Sequence, residues 1–146
     1  MSPNIRAVAD AWAPRVLSVT RMMTSLLFIA HGTQKVFNFP EKTPAVPYEL
    51  LTVYPGLAGV LELGGGLLLL FGLFVRPVAF VLSGFMAVAY FSVHAPRSFY
   101  PVVNGGDPAI LYCFMFLYFA FAGGGPWSAD AVARKTSRSA AIEKRS

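Results

Sequence analysis

GLAGVLELGGGLLLLFGLFV, residues 56–75, is a run of 20 residues with a single charge, Glu62. An α-helix needs roughly 20 apolar residues to cross a hydrocarbon core of about 30 Å. A second run, AILYCFMFLYFAFAGGG at residues 109–125, carries no charge at all. Apolar and polar residues do not alternate in either run, and each is nearly twice the ~10 residues of a barrel strand. Backbone groups in lipid must find their hydrogen bonds within the segment, so these runs are helices.

The rest of the chain fits the same solvent. Of 146 residues, 55% are hydrophobic and 13% charged, where soluble domains carry about 25% charge, and mean hydropathy is +0.57. Too few charges are present to clothe a water-exposed surface. The same numbers exclude a disordered chain and a coiled coil, and the single cysteine, Cys113, excludes a disulfide scaffold. A net charge of +5 would suggest nucleic acid if it lay on a soluble face. Here the basic residues sit at the ends of apolar runs and in the tail, which points to topology signals and anionic lipid headgroups instead of nucleic acid.

Outward from the two runs, four spans are expected: Pro14–Asn38, Pro55–Val75, Pro77–Ala95 and Pro108–Gly125. A proline opens each span, where its missing N–H costs nothing, and Asp107 ahead of Pro108 reads as an N-cap. Only Arg76 and its neighbours part the second and third spans, which predicts a tight antiparallel hairpin. The first span is interrupted by His31, Gln34 and Lys35 and is followed by no small-residue cleavage site, so it reads as a retained span, not a signal peptide. The expected fold is all-α, an integral membrane four-helix bundle over residues 14–127, with an N-terminal segment 1–13 and a basic tail 128–146 that is mobile at its end. Ile5, Val8, Ala9 and Trp12 recur at helical spacing, which fits either a short helix lying in the interface or a frayed terminus.

With four spans, both termini and the loop at Arg76 share one side. That side holds Arg6, Arg15, Arg21, Arg76, Arg134, Lys135, Arg138, Lys144 and Arg145, and the other holds Lys35, Lys42 and Arg97. The positive-inside rule then places both termini in the cytoplasm. Arg21 and Arg76 are expected to snorkel to the cytoplasmic headgroups.

This topology gathers polar residues that are distant in sequence. His31 lies ~10 Å below the outer end of span one, and Glu62 lies at about the same depth in span two, at ~1.5 Å per residue. Lys35 is one turn above His31 on the same face. His94 ends span three, Asn104 and Asp107 lie at the mouth of span four, and Tyr90, Tyr112 and Cys113 reach the same level. A lone charge in hydrocarbon is costly, so Glu62 must face inward and find a partner, with Lys35 and His31 the candidates. Gly59, Gly64, Gly65 and Gly66 around it, with Ser83, Ala87, Ala120 and Gly124 on the later spans, allow close helix approach.

Three readings of these groups stand side by side. Lys35 and Glu62 can be a packing ion pair that fixes helix register. They can belong to a polar site that binds a ligand or moves protons. A metal held by His31, His94 and Glu62 is the weakest, because no helical pair spacing joins the ligands. The sequence therefore assigns acid–base work to Glu62 and His31, ligand contacts to Lys35, His94, Tyr90, Asn104 and Tyr112, and no metal. Cys113 reads as inert packing, and the aromatic residues of span four, Phe114, Phe116, Tyr118, Phe119 and Phe121, as lipid-facing or core residues that could also wall a ring-shaped ligand. No Walker loop, G-x-G-x-x-G, G-x-S-x-G or C-x-x-C is present, so nucleotide hydrolysis and Rossmann-type cofactor binding are not expected.

Five blocks in order resemble the DoxX family: AHGTQKVF (30–37), LELGGGLLLLFGLFVRPVA (61–79), VHAP (93–96), NGGDPAILY (104–112) and GGGPWSAD (123–130). The resemblance runs from about Val16 to Asp130. Asp107 departs from it, since the family commonly has glutamate followed by an apolar residue there. The resemblance implies a four-span protein of the bacterial or archaeal cytoplasmic membrane, in a family named for a subunit of a thiosulfate:quinone oxidoreductase. Two functions follow as expectations. One is a redox-linked subunit that binds a quinone or similar lipophilic molecule in the outer half of the bundle, with Lys35 or His31 on a quinone carbonyl, Glu62 passing protons and a partner subunit supplying electrons. The other is a non-enzymatic scaffold or small carrier of a hydrophobic compound, in contact with membrane lipids and a partner or a second copy of the chain.

Overall fold

The computed structural model describes residues 2–44 and 47–143, and the regular structure among them is helical. It comprises α1 (Pro3–Phe37), α2 (Val53–Phe71), α3 (Val75–His94), the short α4 (Pro101–Asn104), α5 (Asp107–Ala122) and α6 (Ala129–Glu143). By length and composition α2 and α3 suffice to cross a membrane, while α5 is as apolar but has 16 residues.

Close approach at glycines sets how α1 lies on α2. A Cβ on Gly32 would stand 2.5 Å from the backbone nitrogen of Leu63, and one on Gly66 would stand 2.7 Å from Ile29 Cγ1. Gly59 meets Val36 and Lys35 in the same way. Facing positions thus rise on α2 as they fall on α1, which makes the pair antiparallel. α3 and α5 form the second antiparallel pair, with Ser83 Oγ donating to the Cys113 carbonyl at 2.9 Å and Tyr90 against Gly106. The turn of residues 72–74 joins the two pairs. Between them lies the core of Phe28, Leu69, Val75, Ala79, Leu82, Met86, Phe116 and Phe119. Outward, Phe80, Phe91, Leu111, Phe114 and Phe121 are exposed, a surface suited to lipid.

Arg21, expected to snorkel, is instead 0% exposed. Its guanidinium lies where α2 and α5 end. Nη1 donates to the Leu69 carbonyl and to that of Leu70 at 2.6 Å, Nε to Gly124 at 2.9 Å and Nη2 to Trp127 at 2.7 Å. The last carbonyls of a helix lack internal partners and carry its negative dipole end, so a fixed cation there is favourable. Backbone carbonyls, not lipid headgroups, are its partners. Arg76 is exposed, as a headgroup-seeking residue should be.

Other details also depart from expectation. Pro14 lies inside α1, which begins at Pro3 and makes residues 3–13 part of the long helix, with Ile5, Val8 and Trp12 exposed. The helix continues through Pro14, whose missing N–H deprives only the exposed Asp10 turn of a donor; beside it Arg15 Nη1 donates to the Ala11 carbonyl at 2.9 Å and Ser18 Oγ to that of Pro14 at 3.4 Å. Asp107 is the first helical residue and Gly106 holds the cap position, without a side-chain cap bond; the Asp107 carboxylate acts on the first turn through the dipole alone. Of the four glycines around Glu62, Gly64 faces open space, while Gly59, Gly65 and Gly66 make close contacts, joined by Gly32 from α1. The tail forms α6; Lys144 and Arg145 lie outside the described residues.

The start of α6 closes the bundle. The Asp130 carboxylate accepts from the amides of Phe74 and Val75, both at 2.9 Å, and the Asp130 amide donates to Gly72 at 3.0 Å. Phe74 has φ of 49°, a left-handed conformation costly for an aromatic residue, and the carboxylate holds it there. Gly125, at φ of 72°, lets the backbone lie against Ser18, where a Cβ would collide with the hydroxyl.

Two outcomes are expected in detergent. Arg21→Gln strands several buried carbonyls and should lower stability by on the order of 3–5 kcal/mol, with Arg21→Lys intermediate because an ammonium cannot span the same fork. Gly32→Ala should cost about 1–3 kcal/mol, because the colliding atoms are backbone. Thermal unfolding followed by size-exclusion recovery measures both.

Candidate functional site

A cavity of ≈ 350 Å³ lies among α1, α2, α3 and α5, at the end of the bundle away from Arg21. Along α1 the separation from Arg21 to Lys35 is ~21 Å, at about 1.5 Å per residue. Phe28, His31 and Lys35 come from α1, three or four residues apart and therefore on one face. α2 contributes Tyr54, Ala58 and Glu62, α3 contributes Phe85, Met86 and His94, and α5 contributes Ala109 and Tyr112.

The polar wall is built on an ion pair. Lys35 Nζ donates to Glu62 Oε2 at 2.5 Å, with the two side chains 15% and 8% exposed. The ammonium also lies 5.7 Å from the centroid of the Tyr54 ring, within cation–π range. Glu62 belongs to a widened π-helical turn, Leu61–Gly65, and His94 ends another, Tyr90–His94. Such turns add a residue to the helix, re-aim the neighbouring side chains and recur at functional sites.

His94 Nδ1 is 3.2 Å from the Asn104 carbonyl. A carbonyl only accepts, so Nδ1 carries the proton and donates, and in the neutral ring Nε2 is the acceptor. Tyr90 stacks on the His94 ring at 6.4 Å and 16°, holding its orientation. The apolar wall is equally ordered. Phe28 meets Phe116 edge-on at 4.8 Å and Tyr112 at 5.1 Å, and His31 stands edge-on to Tyr112 at 5.9 Å.

Five of the residues selected from sequence therefore line one cavity: His31, Lys35, Glu62, His94 and Tyr112. Tyr90 and Asn104 do not. Tyr90 stands behind His94, and the Asn104 side chain serves its own loop, donating to Ser98 at 2.8 Å and accepting from Gly106 at 2.7 Å. The α5 aromatics beyond Tyr112 do not wall the cavity: Phe116 and Phe119 are core, and Phe114, Tyr118 and Phe121 face outward. Phe28, Tyr54 and Phe85 take that part. Phe28 was open to discovery, one turn from His31, whereas Tyr54 lies in what reads as loop. Chemically the cavity offers a charged donor at Lys35, a carboxylate at Glu62 and an acceptor at His94, set in apolar walls.

Against known proteins, the DoxX family model matches residues 16–95. An uncharacterized protein of Haemophilus influenzae is 41% identical over 128 residues, covering 83% of this chain and 92% of the relative. No solved structure matches the chain. The family match takes in α2 and α3 and most of the polar wall of the cavity, and on these grounds the chain belongs to the DoxX family.

Proposed function

We propose that this chain is a four-span protein of the bacterial inner membrane, both termini in the cytoplasm, whose outer cavity takes a quinone or similar lipophilic ring as part of a redox-linked complex. The observation that carries the reading is the convergence of Lys35, Glu62, His31 and His94 on one aromatic-walled cavity. Its volume is near the lower end of the roughly 300–1,000 Å³ of ligand pockets and admits one substituted ring. The orientation is supported by Arg15, Arg76, Arg134, Lys135 and Arg138 at the Arg21 end, against Lys35, Lys42 and Arg97 at the cavity end.

The residues would divide the work by their chemistry. Lys35 or His31 donates to a ring carbonyl, and Glu62, beside Lys35, passes protons to and from the reduced oxygen. Electrons come from a partner subunit. The test is equilibrium binding of decyl-ubiquinone to the full chain in nanodiscs. Saturable binding weakened about tenfold or more by Tyr112→Ala or Lys35→Met is expected. Absence of binding, together with unchanged quinone reduction by the intact complex carrying Glu62→Gln, would remove the reading.

One observation favours a second reading, a scaffold or small carrier in which Lys35 and Glu62 hold α1 to α2: the pair is short and largely buried. The two readings part in a double-mutant cycle. If the pair is structural, Lys35→Glu with Glu62→Lys regains stability and function together. On the redox reading the exchanged pair regains stability while quinone binding stays lost.

A further inference from the structure

A second cavity lies at the opposite end of the molecule from the first. It has ≈ 690 Å³ and is bounded by α1 at Pro14 and Leu17, α5 at Tyr118 and Ala122, the loop of residues 123–126, the start of α3 and the first turns of α6. Two guanidinium groups reach it from separate elements, Arg76 on α3 and Arg134 on α6. Among the described residues neither is held by a hydrogen bond or an ion pair. The carboxylate at the start of α6, Asp130, keeps its two oxygens on the Phe74 and Val75 amides and makes no ion pair with either guanidinium. The cavity thus holds two guanidinium groups with no ion-pair partner among the described residues, with Leu17, Tyr118 and Ala122 offering an apolar side.

We propose that this cavity binds the phosphate of an anionic phospholipid, with Arg76 and Arg134 clamping the headgroup and an acyl chain following the α1–α5 seam past Leu17 and Tyr118. Guanidinium forks match phosphate oxygens in pairs, which an isolated surface charge does not. A lipid is favoured over a free phosphate because the polar and apolar walls are continuous, as headgroup and chain are. Trp12 and Trp127 are exposed at the same end, and indole rings settle at headgroup depth. The site is separate from the outer cavity and does not depend on what that cavity binds.

The experiment is native mass spectrometry of the full chain released from nanodiscs of dioleoyl-phosphatidylglycerol or dioleoyl-phosphatidylcholine. Retention of one phosphatidylglycerol and no phosphatidylcholine is expected. R76Q/R134Q should weaken retention about thirtyfold, since a basic group near an anionic surface contributes roughly a factor of five, while R76K/R134K keeps a part of it. Both positions are exposed, so an unchanged thermal midpoint shows that the variants are folded. Equal retention of the two lipids, or full retention by folded R76Q/R134Q, overturns the site. Binding of inorganic phosphate at millimolar concentration with no lipid retained overturns the lipid assignment.

Discussion

A guanidinium inside a helical bundle has five N–H groups to satisfy and a charge to offset, and leaving either undone costs several kcal/mol. Arg21 meets most of that demand with four hydrogen bonds to carbonyls, from the last turn of α2 and from the loop that follows α5. The constraint acts in both directions. The Leu69 carbonyl also accepts from the Gly72 amide at 3.0 Å, whereas those of Leu70, Gly124 and Trp127 take their donors from α1, so three separate parts of the chain are assembled around one side chain. The serines beside it continue the arrangement, Ser25 donating to the Arg21 carbonyl and Ser18 accepting from the Trp127 amide.

The opposite end is organised by a different rule. Glu62 can be tolerated deep among apolar residues only with a cation near it, and Lys35 can reach it only because Gly32 brings the two backbones together. The ion pair and the glycine contact are therefore one device. Aromatic side chains then keep the space beside the pair open instead of filling it: Phe28 and Tyr112 pack on each other and on Phe116, leaving a wall where flexible side chains would have collapsed inward.

Much of this was legible in the sequence. Apolar runs and their prolines located α2, α3 and α5, and depth counted from helix ends brought His31, Lys35, Glu62, His94 and Tyr112 to one level. What escaped notice has a common physical character. The partners of Arg21 are backbone carbonyls 48 to 106 residues away, and carbonyls leave no mark on residue identity. Pro14 is a helix opener by propensity and a helix interior residue here, where the carbonyl it deprives of a donor, that of Asp10, lies in an exposed turn. Asn104 reads as a ligand contact and Asp107 as a cap; only the path of the loop decides that the amide is used within it and that the carboxylate makes no cap bond.

The two attachments of α1 have a mechanical meaning. Arg21 ties α1 to the end of α2, and Lys35 with Gly32 ties it again farther along, so the helix can neither slide nor roll on its partner. α1 and α2 thus form one doubly tied pair. The other pair is α3 with α5, and the turn of residues 72–74 between the pairs is held by Asp130. Arg21, bonded both to α2 and to the loop after α5, and Asp130 therefore cross-link the bundle at one end, and the cavity lies at the other.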